Sequence, residues 1–193
     1  MKKVFIGGSR RFWNLSQEVC ERLDAIIAQS FTVLVGDANG TDKAIQKYLA
    51  EKGYNNVIVF CAGDVCRNNV GNWEINSVEV ERSKKDYRFY MKKDLEMAKE
   101  ADFGFMIWDR QSSGTLSNIL ELLERDKNVL VYIVPEKKFV KLGDLKDLYR
   151  QLKACSPEAL KSFDVKLNLK DRLQVPVKPQ QQLQIFPEER WYP

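Results

Sequence analysis

Hydrophobic positions along this chain alternate between short continuous runs and stretches with helical spacing. Val4-Phe5-Ile6 is an apolar run that breaks at Gly7-Gly8. Leu15, Val19, Leu23, Ile26 and Ile27 then recur at three- and four-residue intervals, which predicts an amphipathic helix. Asn14, with Gln17 three residues on, resembles a capping box at its start. Residues 31–35 (FTVLV) predict a second strand closed by Gly36, and Ala44, Ile45, Tyr48 and Leu49 a helix that stops at Gly53. Residues 57–60 predict a third strand, 87–101 a helix, 103–107 a fourth strand, 116–123 a helix and 129–134 a fifth strand.

Strands that are nearly continuous apolar runs, separated by helices, describe a parallel sheet covered on both faces. The expected class is therefore α/β: a Rossmann-like three-layer domain with a five-stranded, mainly parallel sheet over residues 1–135. Residues 136–193 are expected to add one helix over 142–152 and an extended tail rich in Pro and Gln, ending in Phe186-Pro187 and Trp191-Tyr192. Residues 61–86 interrupt the rhythm with Gly, Asn and one alternating patch over 75–80, and read as a long loop. Tyr87 and Tyr90 at its end are candidates to lid a cleft.

Composition narrows the chemistry more than the fold. The 193 residues carry 31 basic and 27 acidic side chains, a net charge of +4 that argues against nucleic acid as a partner. No apolar run approaches the roughly 20 residues that span a bilayer, and Val4-Phe5-Ile6 is too short for a leader, so a cytoplasmic protein with no membrane partner is expected. There is no histidine, which excludes Ser-His and Cys-His nucleophile pairs. Cys20, Cys61, Cys66 and Cys155 lack the paired spacing of a zinc site and read as reduced, mostly buried thiols. No metal and no cofactor is expected.

Ligands of open parallel sheets bind outside the carboxyl ends of the strands. Three polar loops fall there. Gly7-Gly8-Ser9-Arg10-Arg11 follows the first strand, with glycines that allow close backbone approach and an arginine able to clamp an anion. Gly36-Asp37-Ala38-Asn39-Gly40-Thr41-Asp42 follows the second. Trp108-Asp109-Arg110-Gln111-Ser112-Ser113-Gly114-Thr115 follows the fourth and runs into a helix, whose free amides favour phosphate. The first loop lacks the third glycine of a dinucleotide fingerprint, and no P-loop lysine motif is present. Trp108 is a candidate to stack on a base or to cover core.

Those residues, with Lys93-Asp94, Met97 and Ala101-Asp102, resemble the SLOG superfamily over roughly residues 3–134. This group of Rossmann proteins takes in the DprA-like, LOG and YspA-like branches. The resemblance implies binding or sensing of a nucleotide or nucleotide-derived small molecule, and a homodimer. The ligand contacts it points to, together with the loops, are Gly7, Gly8, Ser9, Arg10, Gly36, Asp37, Gly40, Asp94, Asp109, Ser113, Gly114, Thr115 and Asn118. Asn118 also marks a departure. The phosphoribohydrolase branch carries PGGxGTxxE, with a glutamate three residues after the threonine; here Asn118 stands there and Gln111-Ser112-Ser113 replaces PGG. An amide does not take a proton as a carboxylate does. Binding or sensing is thus the leading expectation. The alternative is an enzyme acting on an N-glycosidic bond, a phosphoribohydrolase or deoxyribosyltransferase-like activity, with Asp37 and Asp109 as candidate catalytic carboxylates. Whether the chain turns its ligand over stays open.

Overall fold

The fold is known from a computed structural model that describes residues 1–63, 65–79 and 87–173, with the side chains of 87–90 outside the description. The expectations for Tyr87 and Tyr90 as a lid, and for the aromatic tail end, fall outside these described residues.

Chain order is β1 (Lys3–Gly8), α1 (Gln17–Ala28), β2 (Thr32–Gly36), α2 (Thr41–Glu51), β3 (Val57–Ala62), β4 (Glu74–Val78), α3 (Tyr87–Glu100), β5 (Phe103–Trp108), α4 (Ser113–Leu123), β6 (Val129–Ile133), a 3-10 turn (Val134–Glu136), β7 (Lys138–Leu142), α5 (Leu145–Leu152), α6 (Pro157–Leu167) and α7 (Leu169–Leu173). The strands form a single sheet in the order β4-β3-β2-β1-β5-β6-β7. All pairs are parallel except β6 with β7. The α/β character, with helices packed on a mainly parallel sheet, is as expected, but the sheet has seven strands and not five.

Both additional strands lie at edges, which explains why the sequence hides them. β4 is EINSV, with mostly exposed side chains, so it lacks the apolar run of a strand covered on two faces. It pairs with β3 from Ile58↔Glu74 to Ala62↔Val78. β7 is KFVKL, a half-exposed antiparallel edge whose alternation spans too few residues to stand out. The first helix begins later than Asn14 predicts. Ser16 is its N-cap residue, and Gln17 bonds Glu21 rather than the backbone ahead of it.

Side-chain alternation along the strands feeds two cores. Val4, Ile6, Val33, Val35, Val57 and Val59 pack under Val19, Leu23 and Ile26 of α1 and Ile45 and Leu49 of α2. Phe5, Leu34, Phe60, Met106 and Trp108 face the other way, under Met97 of α3, Leu116, Ile119 and Leu120 of α4, and the helices that follow β7. Leu148, Leu152, Leu160, Phe163, Leu169 and Leu173 all belong to this second core. Trp108 is buried there against Phe163, with ring centroids 6.1 Å apart. Of the two expectations for Trp108, it covers core. Among the described residues no helix is long and apolar enough to cross a membrane.

Candidate functional site

Strand order reverses beside β1. The chain leaves β1 toward β2, β3 and β4, then crosses back through α3 to lay β5 on the other side of β1. At such a reversal the loops after neighbouring strands diverge and open a crevice at their carboxyl ends. A cleft of about 510 Å³ lies there, lined by the loops after β1 and β5 and by parts of α2, α3, α4 and α6.

The loop after β1 is held rigidly by its neighbours. Ser9 is its hub: its amide donates to the Ile107 carbonyl at 3.1 Å, and its carbonyl accepts from the Thr41 hydroxyl at 2.7 Å. Its own hydroxyl donates to Asp109 Oδ2 at 2.7 Å. A side chain on Gly8 would collide with the Ile107 carbonyl and Thr41, and one on Gly40 with the Arg10 backbone. Gly40 also has φ +85°, a left-handed conformation that favours glycine. These glycines let two loops cross in close contact and so present Arg10 and Arg11 at the cleft edge.

Asp109 organises the third loop. Its Oδ1 accepts the amides of Gln111 (2.9 Å) and Ser112 (2.7 Å), while Oδ2 takes the Ser9 hydroxyl. The Ser112 hydroxyl then caps α4, accepting from the Thr115 amide at 3.2 Å and the Thr115 hydroxyl at 3.0 Å. Arg110, at a positive φ of 59°, turns away from the cleft and bonds Glu136 and Gln151.

A buried charge cluster forms one wall. Lys93 on α3 is 3% exposed and bonds Asp94 at 2.7 Å, with Asp37 4.0 Å away. Burial disfavours its charge, yet Asp94, Asp42 and Asp37 together hold the ammonium above the ordinary lysine value. Asp37, 2% exposed, is gripped by Arg67 through its amide and guanidinium. Burial opposes ionisation of Asp37, but Arg67 and Lys93 hold its carboxyl below the ordinary range. Asp42 differs. Burial pushes its carboxyl up to about 6; Lys93 opposes the rise, and the Asp94 and Asp37 charges add to it. Gly36 leaves the space that the Asp42 carboxylate and the Lys93 ammonium occupy.

Asn118 sits on the first turns of α4 beside this wall. It lines the cleft, is 9% exposed, and its carboxamide has no hydrogen-bond partner among the described residues. Buried amides are normally paired, which sets Asn118 apart from the other buried polar side chains of the cleft wall.

Comparison of the chain with known protein families, curated proteins and solved structures gives no match.

Of the residues expected at the site, Gly8, Ser9, Arg10, Asp94, Asp109, Ser113, Gly114, Thr115 and Asn118 line one cleft. Gly7, Gly36, Asp37 and Gly40 support it from behind without lining it. Arg67, Met91 and Lys166, not singled out from the sequence, also line the cleft, as do Asp42 and Lys93, which the sequence named in the second loop and the family resemblance but not among the expected contacts. Lys93 and Asp42 carry no local signal, because charged residues on a helix ordinarily face water. Lys166 comes from α6, a helix the sequence did not predict. Cys61 and Cys66, expected as reduced thiols, form a disulfide. Asp37 and these two sulfurs lie within 4.8 Å of one another, but Arg67 occupies both Asp37 oxygens.

Proposed function

We propose that this chain binds, and senses, a nucleotide or nucleotide-derived small molecule in the cleft beside β1 and β5. The observation that carries the reading is the Asn118 carboxamide, buried at the cleft wall with no hydrogen-bond partner among the described residues. A carboxamide offers a donor and an acceptor side by side, the pattern that matches the edge of a base. Phe5, Met91 and Met97 supply apolar surface on which a base can rest. Anionic groups suit the lining cations Arg10, Arg11 and Lys166 and the amide end of α4 at Ser113-Gly114-Thr115. Asp94 is placed to accept from ribose hydroxyls. The resemblance to the SLOG superfamily supports the same ligand class, and membership of that superfamily is part of this proposal.

Two carboxylates expected as candidates for catalysis are already engaged. Asp37 is chelated by Arg67, and Asp109 accepts three hydrogen bonds within its own loop region. This favours binding over turnover. A specific observation supports the second reading, N-glycosidic cleavage: Asp42 lines the cleft with its carboxyl at about 6, suited to proton exchange near neutrality. Thermal-shift screening against nucleoside monophosphates, cyclic nucleotides and ADP-ribose tests the binding reading; a panel that leaves the melting temperature unmoved overturns it. Chromatography for free base after incubation with the same compounds separates the two. Base release lost in Asp42→Asn would establish the enzyme.

A further inference from the structure

We propose that Cys61 and Cys66 form a reversible thiol–disulfide site whose state sets the position of Arg67 at the edge of the cleft. Cys61 is at the end of β3, fully buried in the core under α1 and α2. Cys66 follows in the loop and is partly exposed, next to Val65, which is 78% exposed. Their Cα atoms are 5.2 Å apart, within the span a disulfide bridges without backbone movement.

The pair is coupled to the cleft by the residue that follows it. Arg67 lines the cleft and donates to Asp37 from its amide at 3.1 Å, from Nε at 2.9 Å and from Nη2 at 2.5 Å. Asn68 adds a bond to the Asp37 carbonyl at 2.7 Å, and the Val70 amide one to Gln46 at 3.0 Å. With the disulfide closed, Cys66 is pinned to the end of β3, and Arg67 is delivered onto Asp37. With it open, this segment keeps its hydrogen bonds and the Arg67–Asp37 ion pair but loses its covalent anchor, and the Arg67 side chain is one-third exposed to competing water.

Access dictates the order of the chemistry. The thiolate of Cys66, the exposed partner, attacks a low-molecular-weight disulfide and releases one thiol, leaving a mixed disulfide on Cys66. The Cys61 thiol, losing its proton, displaces the second thiol and closes the ring. Two protein thiols and one small disulfide become one protein disulfide and two small thiols; small thiols in excess drive the reverse. Cys20 and Cys155 stand as internal controls, because burial pushes both thiols up and away from the reactive thiolate form.

The test equilibrates the full chain with reduced and oxidised glutathione over a range of ratios, then traps thiols by alkylation and maps them by mass spectrometry. Cys61 and Cys66 are expected to gain and lose the label together at ratios near the glutathione poise of cells, while Cys20 and Cys155 keep free thiols throughout. Hydrogen exchange on the same samples should show residues 66–70 opening about tenfold more readily when the pair is reduced, with α4 unchanged. The Cys61→Ser, Cys66→Ser double variant should hold the fast-exchanging state at every ratio. A pair that never changes state, or that cycles without altering exchange at 66–70, overturns the proposal. Both readouts on the unaltered chain need no ligand and no variant, so they stand apart from the nucleotide reading.

Discussion

Asp42 and Asp37 sit within one charged cluster yet respond to burial in opposite ways. Arg67 supplies Asp37 with hydrogen bonds, so its ionised form is stabilised; Asp42 receives one amide bond, from Ala38 at 3.2 Å, and its proton is retained to about 6. The sign for stability follows. A carboxyl whose pKa is raised on folding favours the folded state when protonated, and that contribution fades as pH rises through about 6. Asp42→Asn should therefore flatten the fall in unfolding free energy between about pH 4 and pH 7, by on the order of 2–3 kcal/mol. Urea denaturation at stepped pH checks this; a wild-type profile that rises over the window contradicts it. The Asp37 contribution lies lower, lost as pH falls below the ordinary carboxylate range, so the two separate. In the sequence both aspartates appear as turn residues of one polar loop. Only their partners, 30 and 51 residues away at Arg67 and Lys93, distinguish them.

At the scale of elements, the polar loops were legible because glycine, serine and aspartate after an apolar run announce a strand end whatever the tertiary context. That is how Gly8, Ser9, Arg10 and Ser113-Gly114-Thr115 could be read in advance. β4 was not, because an edge strand has neither two covered faces nor a long alternation, and Glu74 to Val78 offers only five residues. The loop after β5 shows how local bonding shapes the cleft edge. Ser112 satisfies Thr115 at the start of α4, and Asp109 holds Ser112 in place. Ser112→Ala should lower stability by about 1 kcal/mol through loss of the cap. The readout is the denaturation midpoint, and an unchanged midpoint would show that water replaces the hydroxyl fully.

Over the whole molecule, residues 138–173 add the edge strand β7 and complete one of the two cores. β7 pairs along β6, and Phe163 of α6, fully buried, packs against Trp108 at the end of β5. Arg110 fastens the cleft loop to α5 through Gln151, and Lys166 reaches the cleft rim. The C-terminal helices therefore both support and line the site. Their contribution was illegible because α6, which opens at Pro157, mixes Lys and Asp among its apolar positions, so its buried face shows only once α4 lies opposite. Phe163→Ala should cost about 3–5 kcal/mol, as expected for a large core aromatic. It should also weaken ligand binding by releasing the loop after β5. A thermal scan with and without ligand distinguishes this from a variant that loses stability alone.

The proposed ligand site turns on Asn118. Asn118→Leu keeps the branched side-chain skeleton and removes a buried amide with no partner among the described residues, so folding stability should be little changed. Binding should suffer. Isothermal titration of the wild-type chain with a nucleoside monophosphate, beside Asn118→Leu under the same conditions, is the direct test. Saturable heat is expected from the wild type, and an affinity at least about tenfold weaker from a variant that melts no lower. Equal affinity in the two proteins, or no heat from the wild type with any nucleotide, contradicts it.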